Sequence, residues 1–359
     1  MFYRQAELLA TEDITTAGTK TVDINVKDVI SRLMVVLELI NNGTNPTDHP
    51  LAAIKNIEVI DGSEVIASMT GYEAQAMAYY NNGVMPHNEL NYEDNGYARC
   101  FIPLDFGRFL YDEDLGLDPA RFRNLQLRIE HDYSLGGSSP DGAYLRVLGD
   151  LFDEKVVSPA GYLLNKEVMS FLPVAGSGKY VELPLDNAIR KILAINTNDD
   201  EQPDVQFETV KIDEEDGKRV VIDCLTADLI RIASTKFGRF GELMSAYITA
   251  ETEELWTSAA FDNQISVIAD GATVLPVYSW SGGRARTITA AVAGFIACVV
   301  SGRCPHGAVP VFFGKQDNLD DWWDVSRLGK ARVTLTPRAT PAINSDKNTN
   351  IVVQSLHRY

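Results

Sequence analysis

Apolar and polar positions alternate with a period of two along much of the chain. In "TVDINV" (21–26), Val22, Ile24 and Val26 share one face while Thr21, Asp23 and Asn25 share the other. "NLQLRIEH" (124–131) sets Leu125, Leu127 and Ile129 against Gln126, Arg128 and Glu130, and "ARVTLTP" (331–337) sets Ala331, Val333 and Leu335 against Arg332, Thr334 and Thr336. This alternation predicts half-buried antiparallel strands. "RLMVVLELI" (32–40) is nearly all apolar and predicts a strand covered on both faces. Asp61-Gly62 and Asp216-Gly217 are hairpin dipeptides, and 205–225 reads as one hairpin with an acidic tip. Helical patterns are few, and the predicted helices are 71–83 and 241–260. The apolar run from Ile288 to Val300 fits a strand or a helix.

The chain also repeats itself. "FIPLDFG" (101–107) returns as "AVPVFFG" (308–314), so Pro103, Phe106 and Gly107 match Pro310, Phe313 and Gly314. Upstream, "KTVDINVKDVISRL" (20–33) matches "KYVELPLDNAIRKI" (179–192), aligning Val22 with Val181 and Ile30 with Ile189. Gly71, Met77 and Tyr80 align with Gly238, Met244 and Tyr247. "LDPARFRNLQLRI" (117–129) aligns with "WDVSRLGKARVTL" (323–335), and Leu145 and Val147 align with Ile351 and Val353. Five blocks in one order predict a doubled β-rich unit. About forty extra residues fall between the helix and the Pro-x-x-Phe-Gly phrase of the second copy. Each copy is expected to hold about eight strands and one helix, which is jelly-roll size. The predicted units are 1–155 and 156–359, the second carrying a longer inserted loop region at about 250–300. The fold class is therefore all-β: two tandem eight-stranded antiparallel jelly-roll sandwiches with a few short helices in the connections.

A chain of 359 residues can bury a sizeable core, and 45% apolar with 23% charged residues is ordinary globular composition. The net charge of −18 argues against a surface that coats nucleic acid, because Lys and Arg are outnumbered 32 to 50. "MFYRQAELLA" lacks the apolar core of a signal peptide, and the run Ala290–Val300 is too short to span a bilayer, so neither secretion nor membrane anchoring is expected. Cys100, Cys224, Cys298 and Cys304 are too few for a disulfide framework and are expected as buried thiols.

The phrases "FIPLDFGRFLYDEDLGLDPARFRNLQLRIEHD" (101–132) and "LGKARVTLTPRATPAINSDKNTNIVVQSLHRY" (328–359), within a doubled jelly roll, resemble the double jelly-roll major capsid proteins of the lineage joining adenoviruses with tailless icosahedral bacteriophages and related archaeal viruses. The resemblance implies a major capsid protein made in the host cytoplasm and resident in the virion. It also implies a homotrimer with a pseudo-hexameric footprint that packs against neighbouring trimers, minor capsid proteins and vertex proteins. An inner membrane or the genome could meet its inner face, without sequence-specific nucleic-acid binding. Unlike some members, the chain shows no long amphipathic N-terminal helix or basic arm. The segment "TVLPVYSWSGGRARTIT" (273–289) is expected to form an exterior tower or a contact between trimers.

Candidate chemistry is sparse. His49, His87, His131, His306 and His357 are too far apart in sequence for a cupin metal site. Cys298, Cys304 and His306 read as two core thiols and a loop histidine rather than a zinc site. "AGSGKY" (175–180) fails as a phosphate loop, with Pro173 in place of the first Gly and Tyr180 in place of Ser or Thr, and reads as a turn. Asn42-Gly43-Thr44 reads as a turn rather than a glycosylation site. "NDDEQPD" (198–204) and "DEEDG" (213–217) read as solvated acidic surface rather than Ca²⁺ loops. No catalytic, cofactor-binding or metal residue is assigned, and no cofactor is expected. The alternatives are a glycan-acting β-sandwich hydrolase or lectin-like protein, for which Trp322 and Trp323 would be the aromatic candidates, and a minor capsid or vertex protein.

Overall fold

A computed structural model describes residues 1–42, 48–136, 140–198, 201–248, 252–270, 277–279, 282–288, 294–340, 343 and 346–359. In the first half, strands Tyr3–Asp13, Gly142–Phe152, Ile30–Ile40 and Tyr97–Asp105 lie side by side in that order. Facing them are Gly18–Asp23, Leu125–His131, Ile54–Asp61 and Glu64–Met69. The second half repeats this order with Gly161–Phe171, Thr349–Arg358, Ile189–Asn196 and Ala308–Phe312. Its facing sheet is Lys179–Glu182, Ala331–Thr336, Thr209–Glu214 and Arg219–Leu225. Four strands facing four in this order is a jelly roll, and the chain contains two.

Register ties the sequence repeat to the fold. Val22 pairs with Leu127, and Val181 with Val333. Ile30 N–H donates to Leu117 O as Ile189 N–H donates to Trp323 O. Met34 lies opposite Pro103, and Leu193 opposite Pro310. Phe106 N–H then reaches Ser31 O, and Phe313 N–H reaches Arg190 O. The repeated phrase is thus one strand end used twice. Its proline, which cannot donate to a ladder, is tolerated because pairing on the far side is short or missing. Asn88–Tyr92 pairs with Tyr97–Asp105 only at Cys100 and Arg99, and Ala308–Phe312 ends its sheet.

The two jelly rolls share sheets. Glu64–Met69 runs parallel to Gly161–Phe171, with Ala67 opposite Asn165 and Ser68 opposite Lys166. One four-stranded sheet from each half thereby becomes a single eight-stranded sheet. A second eight-stranded sheet continues from Asn88–Tyr92 into Phe240–Ile248, Gly294–Arg303 and Phe261–Asp270. Those three strands belong to an insertion between the helix Thr226–Ala233 and the strand Ala308–Phe312. It spans 234–307, where the first half has only 83–96, and so exceeds the expected forty residues. Within 273–289, Val277–Ser279 and Arg284–Ile288 join Thr252–Trp256 in a three-stranded sheet, Gly282 and Gly283 form a turn, and 273–276, 280–281 and 289 lie outside the described residues.

Two predictions are corrected. Residues 241–260 are not a helix but the strands Phe240–Ile248 and Thr252–Trp256, so Gly71, Met77 and Tyr80 do not correspond to Gly238, Met244 and Tyr247. The counterpart of the first helix is Thr226–Ala233. The strand is hidden because its two faces are mixed: Glu242 is buried beside Phe240, Met244 and Ala246, while Leu243 and Tyr247 are exposed. Good helix formers then outvote the pattern, although tertiary pairing decides. The apolar run 288–300 contributes to the strands Arg284–Ile288 and Gly294–Arg303. Ile30–Ile40 is a central strand as expected but is fully covered on one face only, since Arg32, Met34, Glu38 and Ile40 are half-buried, while Thr209–Glu214 with Arg219–Leu225 form the expected acidic-tipped hairpin.

Burial follows the alternation. Leu125, Leu127 and Ile129 enter the first core, and Ala331, Val333 and Leu335 the second. Leu127 is fully buried, so Leu127→Ala is expected to cost about 2–5 kcal/mol, through lost burial and the cavity left behind. Urea unfolding of both proteins checks this.

Candidate functional site: the buried junction of the two units

The helix Gly71–Asn82 is the wedge between the two sandwiches. Thr70 and Glu73 form a capping box at its start, and Gly83, with φ of +76°, ends it. Glu73 through Tyr80 are all buried, because jelly-roll surfaces flank the helix rather than solvent. Tyr80 Oη donates to Ala308 O and Tyr79 Oη to Gly238 O, both in the second half.

Three polar clusters meet this wedge. In the first, Gln75 donates to Asn88 Oδ1 (2.7 Å) and Phe101 O (2.8 Å), while Asn88 donates to Glu242 Oε1 (2.8 Å). Ser258 offers its N–H (3.0 Å) and its hydroxyl (2.7 Å) to the Glu242 carboxylate. His306 places Nε2 2.9 Å from Gln75 Oε1 and Nδ1 3.1 Å from Ser258 Oγ. Because both Gln75 amide protons are engaged, Nε2 carries the imidazole proton and donates to Gln75. His49 Nδ1 accepts from Leu51 N–H, and its Nε2 lies 3.4 Å from Glu242 Oε1, an electrostatic contact longer than a good hydrogen bond. The fold aims His306 inward through a left-handed backbone at Cys304, His306 and Gly307 (φ +57°, +58° and +67°).

The electrostatics follow from burial and partners. Burial alone would raise Glu242, but His49, His306 and the Ser258 hydroxyl hold it down at about 2. Burial, reinforced by His49, lowers His306 to about 3, so its ring is neutral. Although serine, histidine and glutamate adjoin here, Ser258 and His306 are completely buried and Glu242 nearly so. Glu242 also binds the serine rather than orienting the histidine. This is a structural lock, not a nucleophile with an entrance.

In the second cluster, Lys191 donates to Tyr80 O and Asn81 Oδ1, both at 2.8 Å, and Arg190 donates to Asn81 Oδ1 (2.8 Å) and Gln354 Oε1 (2.7 Å). Burial pushes Lys191 well below its usual range and Arg190 down to about 10. Asp105, raised by burial, accepts from Asn81 and Asn82.

In the third, Asn350 on the last strand donates to Glu73 Oε1 (2.6 Å) and Glu167 Oε2 (3.3 Å). Burial, with Glu167 beside it, raises Glu73 to about 8. A raised carboxyl stabilises the fold fully below pH 4.5 and loses that contribution as pH rises through 8. Between pH 6.5 and 8, where His306 no longer titrates in either state, stability is expected to fall by as much as about 1.4 kcal/mol per pH unit. Glu73→Gln keeps the capping box and should flatten that fall, which thermal melts across this range would read.

The residues weighed from sequence scatter. Cys298 lies in the core of the insertion, Cys304 in the second core, and His306 in the first polar cluster, so the three do not converge. Cys100 is buried as expected, but Cys224 is only half-buried because its strand ends a sheet. Trp322 is buried and donates to Lys315 O, while Trp323 is half-buried, stacks one face on Phe313 and donates to Glu214, so both are held by packing within the second unit. The acidic tip is paired rather than merely solvated. Asp213 meets Arg332 at 2.9 Å, Glu214 meets Arg219 at 3.0 Å, Asp216 meets Lys330 at 2.9 Å, and Glu215 accepts from Gly329 N–H. "AGSGKY" holds a turn closed by Ser177 N–H on Val174 O. Gly43 and Thr44, and residues 199–200, lie outside the described residues. Among the described residues, no three His, Cys, Asp or Glu side chains group to hold a metal, and no helix is long and apolar enough to cross a membrane.

These features define a double jelly-roll chain whose polar chemistry is spent on joining its halves. Solved structures with this fold include the major capsid protein of STIV, Sulfolobus Turreted Icosahedral Virus. It is 11% identical at a TM-score of 0.60, over 99% of this chain and 96% of that one. The major capsid protein P2 from Bacteriophage PM2 is 8% identical at a TM-score of 0.55, over 99% and 98%. PBCV-1 VP54 is 12% identical at 0.56, over 99% and 93%. No protein-family model and no curated protein matches the sequence.

Proposed function

We propose that this chain is the major capsid protein of an icosahedral virion, assembling as a homotrimer with a pseudo-hexameric footprint and performing no catalysis. The observation that carries the reading is similarity along nearly the whole chain to the major capsid proteins of an archaeal virus and a bacteriophage. The buried junction supports it, because a tile needs two barrels held at a fixed angle and three polar clusters supply that rigidity. The units divide at 155/156, just before Gly161–Phe171. Other trimers, minor capsid proteins and vertex proteins are the partners. Native mass measurement tests the reading: a stable trimer that forms shells or sheets is expected, and a monomer that cleaves or binds glycans would overturn it.

A further inference from the structure

Equivalent positions in the two units should be equally buried unless something covers one and not the other. The register equates Ala67, opposite Val59, with Ile222, opposite Ile212. On that footing Glu73, Ala76 and Met77 correspond to Asp228, Arg231 and Ile232. The first three are at most 2% exposed, whereas Arg231 and Ile232 are each 65% exposed and Asp228 53%. Along the preceding strand, Ile66, Ala67 and Met69 are buried, yet Val221, Ile222 and Cys224 are only half-buried. On the opposite side of the junction, Tyr162, Leu163 and Asn165 are buried. Their equivalents Arg4, Gln5 and Glu7 are half-buried or exposed.

What covers the buried set is the neighbouring unit of the same chain. Glu64–Met69 pairs with Gly161–Phe171, and the helix beyond it lies against Leu193, Ile195, Ala308 and Val352. The open set is the same junction without its neighbour: among the described residues, Arg219–Leu225 and Tyr3–Asp13 each end their sheets. A free strand edge carrying Val220 and Leu225, both nearly half exposed, is an aggregation liability unless another chain occupies it.

We propose that the outer side of the helix Thr226–Ala233 and the free edge of Arg219–Leu225 bind a second copy of this chain along its Tyr3–Asp13 edge, repeating between chains the junction already made within one. Transferring the internal register sets the two strands parallel, with Ile222 opposite Glu7 of the partner subunit and, because Leu8 is the unpaired residue of a bulge, Asp223 opposite Leu9 of the partner subunit. The helix then lies on the sheet face that carries Met34 and Val36, the equivalents of Leu193 and Ile195. Beside it runs a groove of about 290 Å³ lined in part by Val36, Glu38, Arg99, Tyr144 and Arg146, which offers both charge signs to Asp228 and Arg231. Each chain contributes one surface of each kind, so the contact is head-to-tail and forms a ring where the rotation closes. Six near-equivalent junctions, three internal and three between chains, make the trimer. This inference rests on the trimeric reading above and names its contact.

The test is disulfide trapping in a Cys224→Ser background. Leu9→Cys with Asp223→Cys in one chain should give covalent dimers and trimers under mild oxidation, and either cysteine alone should not. Ile232→Glu, at an exposed position that costs little folding stability, should abolish the trimer with an unchanged circular dichroism spectrum. A trimer that persists in Ile232→Glu, or a native trimer that the double cysteine variant does not trap, overturns the interface and leaves the trimer standing. A wild-type chain that is monomeric at all concentrations overturns both.

Discussion

Gly314→Ala is expected to destabilise the protein by about 3–5 kcal/mol, whereas Gly83→Ala should cost only about 1 kcal/mol. Both glycines have positive φ, +61° at Gly314 and +76° at Gly83, so an L side chain is strained at either. The difference lies in space. A Cβ at Gly83 meets nothing, while one at Gly314 would overlap the backbone carbonyl oxygen of Asp321. That carbonyl sits on the loop that returns from the repeated phrase, so main chain must move. Gly107 plays the matching part in the first unit, where a Cβ would stand 2.7 Å from Asp112 Cβ and 2.9 Å from Leu115 O. The glycine of the repeated phrase is thus kept twice for close approach of the following loop. Equilibrium unfolding of the two variants should separate strain alone from strain with overlap, and equal losses would refute the argument.

Much of this fold is legible in the sequence because jelly-roll strands half-bury themselves. Val22, Leu127 and Val333 face inward and their neighbours outward, so period-two patterns and the repeated phrase survive reading by eye. The insertion resists because its strand Phe240–Ile248 buries a glutamate and exposes leucine and tyrosine. Hydropathy there does not sort the two faces, and Thr226–Ala233 is only 8 residues long and lacks a side-chain cap, so it is easily passed over despite its amphipathic face. The junction was beyond the sequence for a related reason. His49 and His306 are remote in the chain, and their rings come within 5.6 Å only because the insertion closes over the first helix. The residues that join the units are polar and buried, so they carry no hydrophobic period. Only Glu73 announces itself, through the Thr70-x-x-Glu73 capping box, and even that spacing explains its helix rather than its burial.

Glu242→Ala should be the most damaging change at the junction, at roughly 3–5 kcal/mol, because it removes one partner of a buried charged network and leaves the others short of a partner. The Ser258 N–H loses its acceptor, the Ser258 hydroxyl is left with only His306 Nδ1 at 3.1 Å, and the Asn88 amide keeps only Gln75 Oε1 at 3.0 Å. The same carboxylate gives the fold an acid limit. Held at about 2, it contributes stability above pH 4.5 that is lost as pH falls toward 2. His306, lowered to about 3, acts in the same direction over pH 6.5 down to 3. Acid therefore unlocks the two units from both residues, while Glu73 opposes it above pH 4.5 and leaves a stability maximum between about pH 4.5 and 6.5. Glu242→Gln retains the shape but presents amide hydrogens to donors, so it should lose stability at pH 6 and unfold with a shallower acid dependence than the wild type. Unfolding free energies measured from pH 3 to pH 6 check the slope. If Glu242→Gln matched the wild type across that range, the carboxylate would not be the charge that fastens the insertion to the first unit.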